Sequence, residues 1–311
     1  MEWTVSTVEQ GLRLDKFLAD PERLGSRRRA SVALDRGKVF VNAVEAAKDA
    51  AATRLTAGDL VRVWMDRPGS ARARGRGASR SRDLRIVYED DVLIVLDKPA
   101  GLLAVPLERR GGAPSIYDQV MEHLRPHGKR RPLVVHRIDR DTSGLVVFAK
   151  DAAAQGRLKG QFKRHVVERV YWAVVYGRPD PPAGTWRDRL VWDERVLIQK
   201  ETHPRDPNGM DAVSHYRVLE PFGAASLVEV RLETGKRNQI RIQARLRGHT
   251  LVGERRYVYG PDELRPIHFE RQALHAYRLA FEHPASGELL RFEAPIPADL
   301  TNLLLRLRPQ K

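Results

Sequence analysis

The sequence predicts a mixed α+β protein in which a small module precedes a larger domain. Three observations carry that reading. Short runs of β-branched and aromatic residues recur in pairs across turn residues, as in 276–282 and 289–293 around Ser286-Gly287, the pattern of a hairpin. Between such runs lie segments with apolar residues at helical spacing, notably 152–165 and 238–247. A stretch built almost wholly of Arg, Ala, Gly and Ser, residues 67–83, offers no apolar face to bury and divides the chain as a flexible linker.

Each element can be justified in turn. In residues 1–66, Leu12, Leu14, Phe17 and Leu18 form one apolar face with Asp15 and Lys16 turned away, which predicts a short helix. Residues 27–36 read as a second, arginine-bearing helix stopped by Gly37. Val39-Phe40-Val41, a turn at Asn42 and Val61-Arg62-Val63-Trp64 supply strands. In the larger domain, 84–311, residues 86–88 and 92–96 flank the acidic turn Glu89-Asp90-Asp91 as a hairpin, and Lys98-Pro99-Ala100-Gly101-Leu102 follows as a rigid turn. Residues 133–135 and 146–149 read as two short buried strands around a polar loop that ends in the turn signal Ser143-Gly144. A helix at 152–165 leads to a strand at 169–175, where the period of two puts Tyr171 and Ala173 on one side and Trp172 on the other, in the core. Strands at 213–219 and 226–232 precede the helix at 238–247, which sets Arg241 and Arg245 one turn apart on a shared face.

Composition narrows the function classes. Of 311 residues, 42% are hydrophobic, enough for a sizeable core. No apolar run approaches the ~20 residues that span a bilayer. The opening Met1-Glu2-Trp3-Thr4 lacks the basic-then-apolar order of a signal peptide, so the expectation is a cytoplasmic, monomeric protein with no membrane partner. The absence of cysteine excludes disulfides and thiolate metal sites. A formal net charge of +15 and a pI near 10.3 predict a polyanionic partner, RNA or DNA. Arginine is concentrated in 67–85, in Ser26-Arg27-Arg28-Arg29 and in 236–247, which favours a binding footprint over an evenly solvated surface.

The most informative string is His136-Arg137-Ile138-Asp139-Arg140-Asp141-Thr142-Ser143-Gly144-Leu145. From residue types alone, Asp139 between Arg137 and Arg140 is either an ordinary solvated turn residue or a carboxylate surrounded by positive charge and suited to act as a nucleophile. The whole string resembles the motif H-R-L-D-x-x-T-S-G-L of the RluA-type pseudouridine synthases, with Ile138 in place of Leu. Four further blocks match that family in order: Tyr88-Glu89-Asp90 with Asp97-Lys98-Pro99-Ala100-Gly101, Glu168-Arg169-Val170-Tyr171, Leu232-Glu233-Thr234-Gly235 with Gln239-Ile240-Arg241, and Arg271-Gln272-Ala273-Leu274-His275-Ala276. In the small module, Arg13-Leu14-Asp15-Lys16-Phe17-Leu18, Val39-Phe40-Val41-Asn42 and Ala57-Gly58-Asp59 resemble the S4 RNA-binding domain.

The resemblance implies a cofactor-independent, metal-free RNA isomerase with a large mixed, mainly antiparallel sheet and a central cleft. Its reaction breaks the bond between uracil N1 and ribose, turns the base and rejoins it through C5. Asp139 is the implied nucleophile, attacking the base or the ribose carbon. Arg241 is its implied salt-bridge partner, and Tyr171 stacks on the base and helps move a proton. The target must be flipped out of its helix. Arg137 either helps fill the vacated space or pairs with Asp139. His136 is expected to hold structure through a hydrogen bond, and Thr142 and Ser143 to brace the loop. Arg140, Lys236, Arg237, Asn238, Gln239 and Arg245 are expected to face RNA, as are Arg13, Lys16, Arg27, Arg28, Arg29 and Arg36 in the S4-like module.

Two departures stand out. The family's Gly-Arg-Thr-His-Gln-Ile-Arg is Gly235-Lys236-Arg237-Asn238-Gln239-Ile240-Arg241 here, which places local RNA contacts in question rather than the nucleophile. Its Gly-Asp-Pro-Leu-Tyr-Gly becomes the longer, more basic Gly253-Glu254-Arg255-Arg256-Tyr257-Val258-Tyr259-Gly260. The S4-like module points to large-subunit ribosomal RNA, with transfer RNA as the alternative. A non-catalytic RNA-binding or ribosome-assembly protein on the same scaffold is the main rival, opposed by the retention of Asp139, Tyr171 and Arg241. A serine hydrolase and a nucleotide-binding enzyme are disfavoured by the lack of Gly-x-Ser-x-Gly and of phosphate-loop strings. A zinc deaminase would need thiolates that are absent.

Overall fold

The computed structural model describes residues 1–35, 37–46, 48–64, 84–106, 113–125 and 131–308; Arg36 and the expected linker 67–83 lie outside the described residues. The chain divides into two units, Met1–Arg80 and Ser81–Lys311.

The first unit contains β1 (Glu2–Thr4), α1 (Leu14–Leu18), α2 (Arg27–Asp35), β2 (Val39–Val41), β3 (Val44–Glu45) and β4 (Leu60–Val63). Its strands pair in the order β1-β4-β2-β3, all antiparallel. Leu14, Phe17 and Leu18 of α1 and Ala30, Ala33 and Leu34 of α2 pack against Val39, Val61 and Val63 of the sheet. The expected helices are both present. The strands β1 and β3, only three and two residues long, were not foreseen because so short a run shows no period of two.

The second unit runs β5 (Ile86–Glu89), β6 (Leu93–Lys98), α3 (Ile116–Leu124), β7 (Leu133–Val134), β8 (Ser143–Ala149), α4 (Ala152–Lys163), β9 (Glu168–Tyr176), β10 (Ala183–Asp193), β11 (Ile198–Glu201), β12 (Met210–Pro221), β13 (Ala225–Leu232), α5 (Gln239–Leu246), β14 (Leu274–Glu282), β15 (Leu289–Glu293) and α6 (Ala298–Leu307). The strands form one sheet in the order β11-β10-β12-β13-β9-β14-β8-β6-β5, with β15 beside β14 and β7 beside β8. This is the expected α+β architecture with a large, mainly antiparallel sheet. Strands β6 and β8 are buried along their whole length, which explains their unbroken apolar runs. α3, capped reciprocally by Ser115 and Asp118, was missed, as were α6 and the β10–β11 hairpin, whose polar exposed residues hide their pattern.

One pairing decides where a site can form. Among the described strands, β8 and β14 make the one parallel ladder, through His275 with Ser143 and Ala276 with Gly144. Beyond it, β14 pairs instead with β15. Ser143-Gly144 was expected to end a turn, yet both residues begin β8. The conformation is glycine's own: Gly144 has φ +106, and a Cβ there would stand 2.2 Å from the Ala276 carbonyl oxygen. The loop 135–142 is thereby delivered against the start of β14.

Gly144→Ala is expected to destabilise the protein by about 3 kcal/mol or more, combining left-handed backbone strain with a backbone collision. Gly287→Ala, also at positive φ but with open space around it, should cost only about 1 kcal/mol. Urea denaturation midpoints of the two variants check the difference.

Candidate active site

The loop that carries Asp139 is held from below and from its carbonyl side. Ile138 is buried beside Tyr171 of β9, Ile240 of α5 and Leu274 of β14, which anchors the residue before the carboxylate. The Thr142 backbone N–H donates to the Asp139 carbonyl at 3.2 Å. Two buried cations take the next carbonyls. Lys98 Nζ donates to Arg140 O at 2.9 Å, as well as to Pro99 O and Leu102 O at 2.8 Å each. Arg271 Nη1 donates to Asp141 O at 3.1 Å, while its other nitrogens pair with Asp299 at 2.7 and 3.1 Å. Burial pushes Lys98 down to about 7 against the attraction of Asp141 and Asp139, and three carbonyl acceptors match the three N–H bonds of its ammonium form.

The Asp139 carboxylate meets the start of α5. Asn238 Nδ2 donates to Oδ2 at 2.6 Å and Arg241 Nη1 donates to the same oxygen at 3.0 Å. Among the described residues, no donor reaches Oδ1. Arg241 spends its remaining edge on Glu254, Nε to Oε2 at 2.6 Å and Nη2 to Oε1 at 2.8 Å. Glu254 has a fully buried side chain, and its Oε1 also accepts the backbone N–H of Arg255, Arg256 and Tyr257. Burial by itself would raise the Glu254 pKa, but Arg241 and these backbone donors outweigh it and hold it low. For Arg241 the balance runs the other way: desolvation is overcome by Glu254 and Asp139, and its pKa is raised.

A cavity of about 470 Å³ opens over this arrangement, lined among others by Arg137, Asp139, Thr142, Tyr171, Asn238 and Arg241. Tyr171 is buried at its wall, with burial pushing its hydroxyl up to about 12, so it is a neutral phenol at physiological pH. Trp172 faces the other way and stacks on Tyr277 at 4.4 Å. Among the described residues, no cluster of three or more His, Asp or Glu side chains is placed to hold a metal.

Several candidate residues stand elsewhere than expected. Arg140 pairs with Asp141 at 3.1 Å rather than shielding Asp139. Arg137 lines the cavity, and the ion-pair partner of Asp139 is Arg241 rather than Arg137. Gln239 is buried and saturated: its amide donates to Val213 O and Ser214 Oγ, and its oxygen accepts from Thr234 and Lys236. It therefore braces the turn and has no group left for RNA. Arg245 Nε is held by the Val258 carbonyl at 3.0 Å, away from the cavity lining. Arg237 lies over the Trp192 ring at 4.0 Å, whereas Lys236 does line the cavity.

His136 Nε2 accepts the Val147 N–H at 3.1 Å and its ring stacks on Phe162. Desolvation and nearby Arg169 push its pKa down to about 3, so it is a fixed neutral acceptor. Thr142 is buried against Gln272, and Ser143 Oγ meets His275 Nδ1 at 3.0 Å. The sequence reading assigned no chemistry to Lys98, Glu254 or Arg271. Lys98 and Arg271 lay inside matched blocks, and Glu254 stood where the family motif carries an Asp, a shared carboxylate that could have marked it.

A family model described as RNA pseudouridylate synthase matches residues 92–246. The chain is 37% identical over 309 residues to an uncharacterized RNA pseudouridine synthase, YlyB, of Bacillus subtilis, covering 98% of this chain and 97% of that one. It is 36% identical to the ribosomal large subunit pseudouridine synthase D of Zymomonas mobilis, over 96% of this chain and 94% of that one. In fold it resembles a solved structure of human RNA pseudouridylate synthase domain containing 4, with a TM-score of 0.59 at 24% identity, covering 72% of this chain and 92% of that one.

Glu254→Gln should cost about 3 kcal/mol of stability, because it leaves a buried guanidinium without its bidentate carboxylate. Urea titration at neutral pH measures the loss, and an effect below about 1 kcal/mol, the range of an exposed pair, would show that Glu254 is not what holds Arg241.

Proposed function

Because the chain belongs to the RNA pseudouridylate synthase family, whose members are isomerases acting on RNA, we propose that Asp139 is its nucleophile and that large-subunit ribosomal RNA is its substrate. The observation that carries the catalytic assignment is the asymmetry of the Asp139 carboxylate. Arg241 and Asn238 both donate to Oδ2, so that oxygen holds the orientation while Oδ1 remains open beside the cavity. Charge-assisted donors on one oxygen fix the geometry of the other, which is what a positioned nucleophile needs. Attack of Oδ1 on the ribose carbon or on the base begins from the same arrangement. Tyr171 stacks on the entering uracil and acts as a hydrogen-bond donor, since its hydroxyl stays protonated at neutral pH. Arg137, exposed at the mouth of the cavity, occupies the space that a flipped nucleotide vacates.

The ribosomal assignment is supported by several relatives named ribosomal large subunit pseudouridine synthase D, each matched over nearly the whole of this chain. The first unit has the role of an S4-like RNA-binding module in this proposal. Arg27, Arg28 and Arg29 are exposed on α2, and Arg28, Arg29 and Lys38 border a hollow of about 460 Å³. Arg13 is bound to Asp15 through two contacts of 3.0 Å, which leaves it less free to meet phosphate than Lys16.

Tritium release from RNA labelled at uracil C5 tests the chemistry. Wild type should release tritium from ribosomal RNA, and Asp139→Ala should release none while binding that RNA with nearly unchanged affinity. Release by the variant would remove Asp139 from the role, and release from transfer RNA alone would replace the substrate. Deleting residues 1–66 should weaken RNA affinity more than it slows turnover at saturating RNA; equal affinity in a filter-binding assay would count against an S4-like module.

A further inference from the structure

A second chemical feature of the cavity is a buried guanidinium without a counter-ion. Arg169, on β9 two residues before Tyr171, is only 8% exposed. Its Nη2 donates to the Glu233 carbonyl at 2.9 Å, its Cζ lies 5.6 Å from the centre of the Phe162 ring, and its Nε is buried with no hydrogen-bond partner. Among the described residues, no carboxylate oxygen comes within the 4.0 Å of an ion pair. The adjacent Glu168 faces away and is taken by Arg278 and Arg291. The comparably buried Arg241 and Arg271 each have a carboxylate, Glu254 and Asp299. A desolvated charge with one carbonyl contact is costly unless an anion completes it.

The surroundings favour an anion that comes from outside. A Cβ at Gly235 would stand 2.3 Å from Arg169 Nη1, so glycine is what lets the chain pass over this edge of the guanidinium. Lys163, His165 and Lys236 line the same cavity as Arg169, and neither lysine has a carboxylate partner among the described residues. A bracket that only held the 233–235 turn would need one N–H and no accompanying cations. Uracil carbonyls carry no net charge to offset a buried guanidinium, whereas a phosphodiester does and can accept from a guanidinium N–H that the Glu233 carbonyl leaves unpaired.

We propose that Arg169, with Lys163 and Lys236 beside it, forms an anion site that takes an RNA backbone phosphate next to the nucleotide entering the cavity. This rests on the reading of the chain as an enzyme that draws an RNA nucleotide into that cavity. Arg169 is the buried anchor and the two lysines are the outer cations.

Binding is measured in the Asp139→Ala background, where chemistry is silent, with an in vitro transcript of large-subunit ribosomal RNA over a series of KCl concentrations. Adding Arg169→Gln should raise Kd about 10- to 100-fold, the range for hydrogen bonds to a charged group. It should also lower the slope of log affinity against log salt by about 0.7–0.9, the release of roughly one counterion. Arg169→Lys should restore the slope and part of the affinity. With Asp139 intact, Arg169→Gln should raise KM while single-turnover rates at saturating RNA stay within about threefold. Unchanged affinity and slope overturn the proposal, whether turnover is kept, as for a structural bracket, or lost, as for a group acting on the base. Should Arg169→Gln fail to melt cooperatively, Lys236→Gln decides: a reduced slope supports the site and an unchanged slope overturns it. Tritium release by wild type reports on the catalytic reading separately; if none occurs, that reading fails while the salt slopes still judge the anion site.

Discussion

The line of charges from Glu254 through Arg241 to Asp139 is the constraint on which the site depends. Glu254 is fixed by backbone N–H groups from its own turn, and it engages two of the three guanidinium nitrogens. Only Nη1 is left for Asp139. The Asp139 carboxylate is therefore positioned by a chain of bonds that starts in the backbone rather than by a free arginine settling against it. Two carboxylates share one cation, so the arrangement carries a net negative charge; on the opposite side of the loop Arg271 is itself matched by Asp299, and Lys98 holds the Arg140 carbonyl. Buried groups of this kind are costly to assemble and costlier to leave incomplete, which ties the loop, α5 and the turn after it into one unit.

The sheet supplies the second half of the positioning. Because β8 and β14 are parallel only over His275–Ser143 and Ala276–Gly144, the loop before β8 arrives at the mouth of β14, where Arg271 and Gln272 can reach its carbonyl and its threonine. Lys98 and Arg271 bind the loop through backbone carbonyls, so neither takes up the side chains of Arg137, Asp139 or Arg140. Asp139 and Arg137 use that freedom; Arg140 spends it on its neighbour Asp141.

Much of the fold was legible because its signals are local. α2 ends at Asp35 ahead of Gly37, and β9 and α4 fall within one or two residues of the periodic segments that announced them. The site was legible only where a string carried it. Arg241 was linked to Asp139 across 102 residues by motif resemblance, since no local pattern spans that distance. Flanking charge misled: Arg137 and Arg140 bracket Asp139 in sequence, but neither pairs with it, because backbone direction and not adjacency decides where a side chain goes. Asn238 was placed among RNA contacts for the same reason, its partner lying 99 residues away. Gln239 looked like a surface polar residue until β12 supplied acceptors in Val213 and Ser214, and Thr234, just past β13, supplied a donor.

Asn238 stands at the entrance of α5 in the left-handed region, φ 55, and caps nothing with its side chain. Its backbone asks for a residue at ease with positive φ, and its amide supplies a donor to Asp139. Few amino acids meet both demands: glycine has no donor, aspartate would set one carboxylate against another, and lysine or serine fits the backbone poorly. Histidine, which the related motif carries at this place, belongs with asparagine to the short set that satisfies both. Exchanging the histidine of the related motif for asparagine, a change that puts local RNA contacts in question, therefore keeps at this position a side chain that tolerates a left-handed backbone and can offer a proton to Asp139.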